Sequence, residues 1–125
     1  MNFTLITGAS KGIGRALAIE YSANQHNLVL TGRNQAELDT LKQSILNVNP
    51  NLIVETFSID LNDELAYLNI KEFCNSNDIV IDNLVNNAGL ASFGEFSKLD
   101  INIQLEMINV NIKALVSLTD RKSVV

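Results

Sequence analysis

The run Ile6-Thr7-Gly8-Ala9-Ser10-Lys11-Gly12-Ile13-Gly14 lies between a short apolar entry, Phe3-Thr4-Leu5-Ile6, and a helical pattern that begins near Ile13. A strand that ends in a glycine-rich turn and feeds a helix is suited to holding a pyrophosphate. Glycine reaches positive φ and lets a phosphate approach without meeting a Cβ. The first-turn N–H groups of the helix have no partner within it, so an anion can accept from them.

Two periods alternate along the rest of the chain. Short β-branched or aliphatic runs occur at Phe3–Ile6, Leu28–Thr31, Leu52–Ile59 and Ile79–Val85. Between them apolar residues recur at helical spacing: Ile13, Leu17 and Tyr21, then Leu38, Leu41 and Ile45, then Ala66, Ile70, Phe73 and Cys74. A last helical segment, from about Ile103 to Thr119, carries Ile108, Asn111, Leu115 and Leu118. Asn34-x-x-Glu37 reads as a capping pair for the second helix. The only proline, Pro50, sits in the Asn-rich turn before the third strand. This order predicts right-handed βαβ units on a parallel sheet, an α/β fold.

Composition narrows the function classes. With 125 residues, 46% hydrophobic and 18% charged, the chain suits one globular domain or less. No apolar run approaches the roughly 20 residues of a membrane helix. Met1-Asn2-Phe3-Thr4 has no basic stretch and runs straight into the first strand, so no signal peptide is expected. A single cysteine, Cys74, excludes an internal disulfide and fits a reducing, cytoplasmic location. The net charge of −5 disfavours nucleic acid as a partner. Cys74 and His26 have no partners at ligand spacing, and no metal site is expected.

Thr7-Gly8-Ala9-Ser10-Lys11-Gly12-Ile13-Gly14 resembles the Thr-Gly-x-x-x-Gly-x-Gly cofactor turn of the short-chain dehydrogenase/reductase family. Asp60-Leu61 follows the third strand-like run, Asn86-Asn87-Ala88-Gly89 follows the fourth, and Val110-Asn111 stands on the last helical pattern. All keep the family's order, and the resemblance covers Met1 to about Thr119. It implies a Rossmann-like doubly wound parallel sheet, incomplete here, with about four strands and flanking helices. It also implies an NAD(P)-dependent oxidoreductase that moves hydride between the cofactor and a small carbonyl or alcohol substrate.

The cofactor contacts are expected from Gly8, Ser10, Lys11, Gly12, Ile13 and Gly14 in the turn, with the Ser10 hydroxyl as an added donor. Arg33 ends the second strand, where an acid would receive the ribose of NAD; no acid stands at Thr31, Gly32 or Arg33, and the nearest is Glu37. A guanidinium fork matches a 2′-phosphate in charge and geometry, and the resemblance gives Lys11 the same partner, so NADP is expected over NAD. Asp60 reads as a cap for the third helix. The resemblance adds adenine contact for Asp60 and Leu61, cofactor support for Asn87, Ala88 and Gly89, and catalytic support for Asn111.

The family's serine on a fifth strand and its later Tyr-x-x-x-Lys would lie beyond residue 125. The chain is therefore expected to be the N-terminal NADP-binding part (residues 1–119) with a tail at 120–125 that departs from the family, and to be inactive alone. Two alternatives stand beside this one: a non-catalytic nucleotide-binding or interaction module, and a truncated remnant. Tyr67-Leu68-Asn69-Ile70-Lys71 spells Tyr-x-x-x-Lys but precedes the Asn-Asn-Ala-Gly element, so it is expected to be non-catalytic. The segment Leu90–Phe96, continued by Leu99-Asp100, resembles the family's substrate-side loop. In relatives the last helix often packs in a dimer, which makes a homo-oligomer a candidate assembly.

Overall fold

Four short strands, β1 (Asn2–Ile6), β2 (Asn27–Gly32), β3 (Val54–Ser58) and β4 (Val80–Val85), form one sheet in the order β3-β2-β1-β4 in the computed structural model, which describes residues 2–89 and 100–120. Every pair is parallel, with Leu5 opposite Val29 on one side and Leu84 on the other. The β1–β4 register slips after Phe3, which faces Ile81, while Thr4 faces Asn83 and Asp82 is left out of the ladder. The segments 90–99 and 121–125 lie outside the described residues, and with them most of the expected substrate-side loop and of the tail.

Helices α1 (Gly12–Ala23) and α2 (Gln35–Val48) follow β1 and β2, and α3 (Ala66–Ser76) follows β3. The last helix is continuous but changes pitch: α4 (Ile101–Ile108) runs through a π-helical stretch (Asn109–Ala114) into α5 (Leu115–Thr119). One apolar cluster joins Ile6, Leu28 and Leu30 to Ala18 of α1 and to Leu38, Leu41 and Ile45 of α2. The other joins Phe3, Leu5 and Val29 to Ile70 and Cys74 of α3 and to Val110, Ala114 and Leu118 of the last helix. β1 and β2 feed both clusters, so they are covered on both faces and read as continuous apolar runs.

Asn34 caps α2 as its sequence predicts, its side chain accepting from the Glu37 N–H at 3.1 Å. Asp60 does not cap α3. Its carboxylate closes a turn on the Asn62 N–H at 2.9 Å, Asp63 does the same for Leu65 at 2.9 Å, and the helix begins only at Ala66. Two Asx turns in succession satisfy the backbone without helix.

The buried faces of α1 and of the last helix also differ from the spacing. In α1 the buried residues are Gly14, Ala18 and Ser22, whereas Ile13 is 74% exposed. Small residues let the helix approach β1 closely, and Leu17 and Tyr21 flank that contact. In the last helix Val110, Ala114 and Leu118 are buried while Ile108 and Leu115 are exposed. A π stretch holds more residues per turn than an α-helix, so it rotates the helical phase away from a fixed 3.6-residue pattern. His26 likewise acquires partners that its sequence position does not reveal. Thr4 Oγ1 meets its Nδ1 at 3.1 Å and receives the Asn83 amide at 3.4 Å, and Tyr21 packs edge-on at 5.1 Å. Those contacts lie at the start of β2, away from the ends where its following loop opens.

Cys74 is fully buried in α3, and burial pushes its thiol up from 9.0 to about 11. Thiol reagents at pH 8 are therefore expected to label it only as the chain unfolds. The unfolded chain loses this proton first as pH rises, so the thiol's contribution to stability declines between about pH 9 and 11. A Cys74→Ala control in alkaline unfolding isolates that part of the decline.

Among the described residues β4 pairs only with β1. Ile101, Leu105, Ile108, Ile112 and Val116 are all exposed along the last helix. An open strand edge beside an apolar helix surface favours association. The 125-residue chain is expected to sediment above its 13.7 kDa monomer mass, and Ile112→Lys to lower that value.

Candidate functional site

The loops after β1, β2, β3 and β4 converge at the C-terminal end of the sheet. The chain reverses its lateral direction between β1 and β4, since β2 and β3 lie on one side of β1 and β4 on the other. Ligands of open α/β sheets sit at such a switch point. Here it forms a cleft of about 420 Å³.

Close packing of the first turn builds one wall. Gly8 and Gly12 have φ of 64° and 61°, a region that side chains with a Cβ avoid. Gly14 lies under the turn, where a Cβ would run into the Gly8 carbonyl oxygen and the Asn87 amide nitrogen. Thr7 joins this turn to the end of β4: its hydroxyl oxygen accepts from the N–H groups of Asn87 at 3.1 Å and Ala88 at 3.0 Å. Asn87 returns the tie by donating its side-chain amide to the Gly8 carbonyl at 3.1 Å. The Ala9 N–H donates to Thr31 at 2.9 Å, so the turn is also fixed to β2.

Opposite stand Arg33, Asn34 and Glu37 after β2, then Ile59, Asp60 and Leu61 after β3. Ser58 Oγ holds the Arg33 carbonyl at 3.2 Å and the Ile59 N–H holds that of Gly32 at 2.9 Å. The Arg33 side chain is 59% exposed and lies 3.9 Å from the carboxylate of Glu106 on α4. Helix α1 has no side-chain cap and no acidic residue in its first turn, and its N-cap residue Lys11 lines the cleft. The hydroxyl of Thr31, whose residue also lines the cleft, is buried with no hydrogen-bond partner. An orphaned hydroxyl costs about 1–3 kcal/mol, a cost that a ligand or water reaching it would remove.

Over residues 2–123 the chain matches the short chain dehydrogenase family. It belongs to that family. Among curated proteins it is 39% identical over 92 residues to a very-long-chain 3-oxoacyl-CoA reductase of Pyrenophora tritici-repentis, a match covering 71% of this chain and 26% of that protein. It is 34% identical over 119 residues to sulfoacetaldehyde reductase 2 of Chromohalobacter salexigens, covering 94% of this chain and 46% of that one. Among solved structures, a short-chain dehydrogenase from Sphingobium yanoikuyae in complex with NADPH superposes with a TM-score of 0.83 at 31% identity, over 94% of this chain and 45% of its own. A metagenomic short-chain oxidoreductase in complex with NADP gives 0.83 at 29% identity, over 94% and 52%. The chain thus spans about a quarter to a half of the length of these proteins.

The short-chain dehydrogenase residues anticipated from sequence divide into three groups. Gly8, Ser10, Lys11, Arg33, Asp60, Leu61, Asn87, Ala88 and Gly89 line one cleft. Gly12 and Ile13 are exposed at the start of α1 and do not line it, because the first helical turn points the Ile13 side chain outward. Gly14 shapes the turn from beneath, and Asn111 stands behind Gly89, where an added Cβ would lie 3.4 Å from its Oδ1. Six lining residues were not anticipated from sequence: Thr31, Gly32, Asn34, Glu37, Ile59 and Val110. Asn34 and Glu37 are marked by their capping pattern, Val110 by its neighbour Asn111, and Thr31 and Gly32 by their place beside Arg33 at the end of β2. Tyr67 packs against the apolar cluster of α3, outside the cleft.

In urea unfolding, Gly14→Ala is expected to lower stability by about 1–3 kcal/mol by overpacking. Gly12→Ala, which has open space and only an unfavourable φ, should cost about 1–2 kcal/mol. The Asn87 amide signals should move in the first variant and stay in the second, as NMR would show.

Proposed function

We propose that this cleft binds NADP(H) in preference to NAD(H), and that the chain is the cofactor-binding part of an oxidoreductase acting on a small carbonyl or alcohol. The observation that carries this reading is that Lys11 of the glycine turn and Arg33 after β2 both line the one cleft. A 2′-phosphate beside a guanidinium and an ammonium replaces water with charge-assisted hydrogen bonds. The relatives crystallised with NADPH and NADP support the same assignment. When bound, the cofactor supplies the hydride.

The remaining roles belong to side chains of this chain. Gly8 in the turn before the uncapped α1 receives the pyrophosphate, with Ser10 as a further donor, while Asp60, Leu61 and Val110 enclose the adenine. Asn87, Ala88 and Gly89 support the ribose next to the nicotinamide, and Asn111, behind Gly89, helps to position water or protons there. Proton transfer at a substrate oxygen is the work of a tyrosine in the family, and none lines the cleft among the described residues. The chain's two tyrosines, Tyr21 and Tyr67, are both outside the cleft. The 125 residues are therefore read as binding nucleotide without turning over substrate.

Calorimetry with 2′,5′-ADP and 5′-AMP on the 125-residue chain tests the assignment. Wild type should favour the phosphorylated nucleotide, and Arg33→Asp should remove that preference. Loss of one charge-assisted hydrogen bond, about 1.5–3 kcal/mol, is roughly a ten- to hundredfold change. The same affinity ratio in both proteins would refute the reading.

A further inference from the structure

Helix α4 has no buried side chain of its own. Its relation to the nucleotide site is set one turn later, where Val110 is both a core residue and a lining residue. Glu106 precedes Val110 by four residues, on α4 just before the π stretch. There its carboxylate is 3.9 Å from Arg33 Nη1, with the two side chains 31% and 59% exposed. Arg33 is thus already opposed by an anion from the last helix.

We propose that Glu106 is a specificity-determining residue, an internal carboxylate that competes with the cofactor's 2′-phosphate for Arg33. The proposal rests on the NADP reading above and adds a residue that no motif indicates. The physics is a balance of two anions at one cation. The guanidinium has donors for both, but the carboxylate offsets the positive potential that a phosphate would meet, and the two anions repel each other. A nucleotide without the 2′-phosphate meets neither effect. Glu106 therefore lowers affinity for the phosphorylated nucleotide selectively and narrows the preference that Arg33 creates. Release of Arg33 by Glu106 also becomes part of binding, so the outer end of α4 and the 2′-phosphate site are coupled.

The test is a double-mutant cycle on the 125-residue chain. Affinities for 2′,5′-ADP and 5′-AMP are measured by calorimetry in wild type, Glu106→Gln, Arg33→Gln and the double variant, with thermal unfolding by circular dichroism as a check on folding. Glu72→Gln, an exposed change on α3 with the same loss of charge, controls for net charge. Exposed ion pairs couple weakly, so Glu106→Gln should tighten 2′,5′-ADP by roughly two- to fivefold. It should leave 5′-AMP unchanged, Glu72→Gln should leave both unchanged, and the gain should vanish in the Arg33→Gln background. Should Arg33→Gln weaken 2′,5′-ADP while Glu106→Gln changes nothing, the role of Glu106 is overturned and the cofactor reading stands. Should Arg33→Gln leave the ratio unchanged, the cofactor reading fails and the role of Glu106 fails with it.

Discussion

The reciprocal tie between Thr7 and Asn87 is the contact on which the cleft depends. The Thr7 hydroxyl accepts from two successive N–H groups at the end of β4, and Asn87 donates to the Gly8 carbonyl at 3.1 Å. Backbone groups at a strand end that leaves its ladder need partners, and the Asn87 N–H also reaches the Val85 carbonyl at 3.0 Å. Here a single hydroxyl and a single amide add to that tie and fix the loops after β1 and β4 at one separation. Gly14 makes the arrangement possible, because a methyl group there would displace the carbonyl and the amide that it brings together.

That rigidity gives the electrostatics a defined geometry. The chain as a whole carries −5, yet Lys11 and Arg33 both line the cleft, and the helix that starts after Lys11 has no acidic residue in its first turn. Carboxylates are present as well. Asp60 and Glu37 line the cleft, and Glu106 reaches Arg33 from α4. Charges of both signs therefore stand within a small volume, which the net charge does not convey.

The last helix serves two environments at once. Val110, Ala114 and Leu118 complete the core under β1 and β4, while Ile108, Ile112, Leu115 and Val116 stay exposed. Polar ties place it along its length: Asn109 donates to Asn62 at 3.0 Å, Lys113 meets Glu64 at 3.4 Å and Asn86 donates to Thr119 at 3.0 Å. The helix is thus held by a narrow apolar seam with polar fastenings, a design that keeps its outer surface available.

The strand and helix order, the glycine turn and the family were legible in the sequence because each rests on local rules. Alternating periodicities select βαβ units, positive φ selects glycine, and Asn34-x-x-Glu37 marks the start of α2. Nine lining residues followed from motifs with short spacing. What stayed hidden depends on contacts between distant segments. The faces of α1 and of the last helix were shifted by close packing at Gly14 and by the π stretch at Asn109–Ala114, which a fixed helical period does not encode. Asp60 yielded its capping role to a turn, His26 found Thr4 across the sheet, and Thr31 reached the cleft only through β2. Glu106 is separated from Arg33 by two strands and two helices along the chain, and only the tertiary structure brings that carboxylate to the guanidinium. Local sequence determined which elements form and what kind of ligand they suit; long-range packing decided which charges that ligand meets.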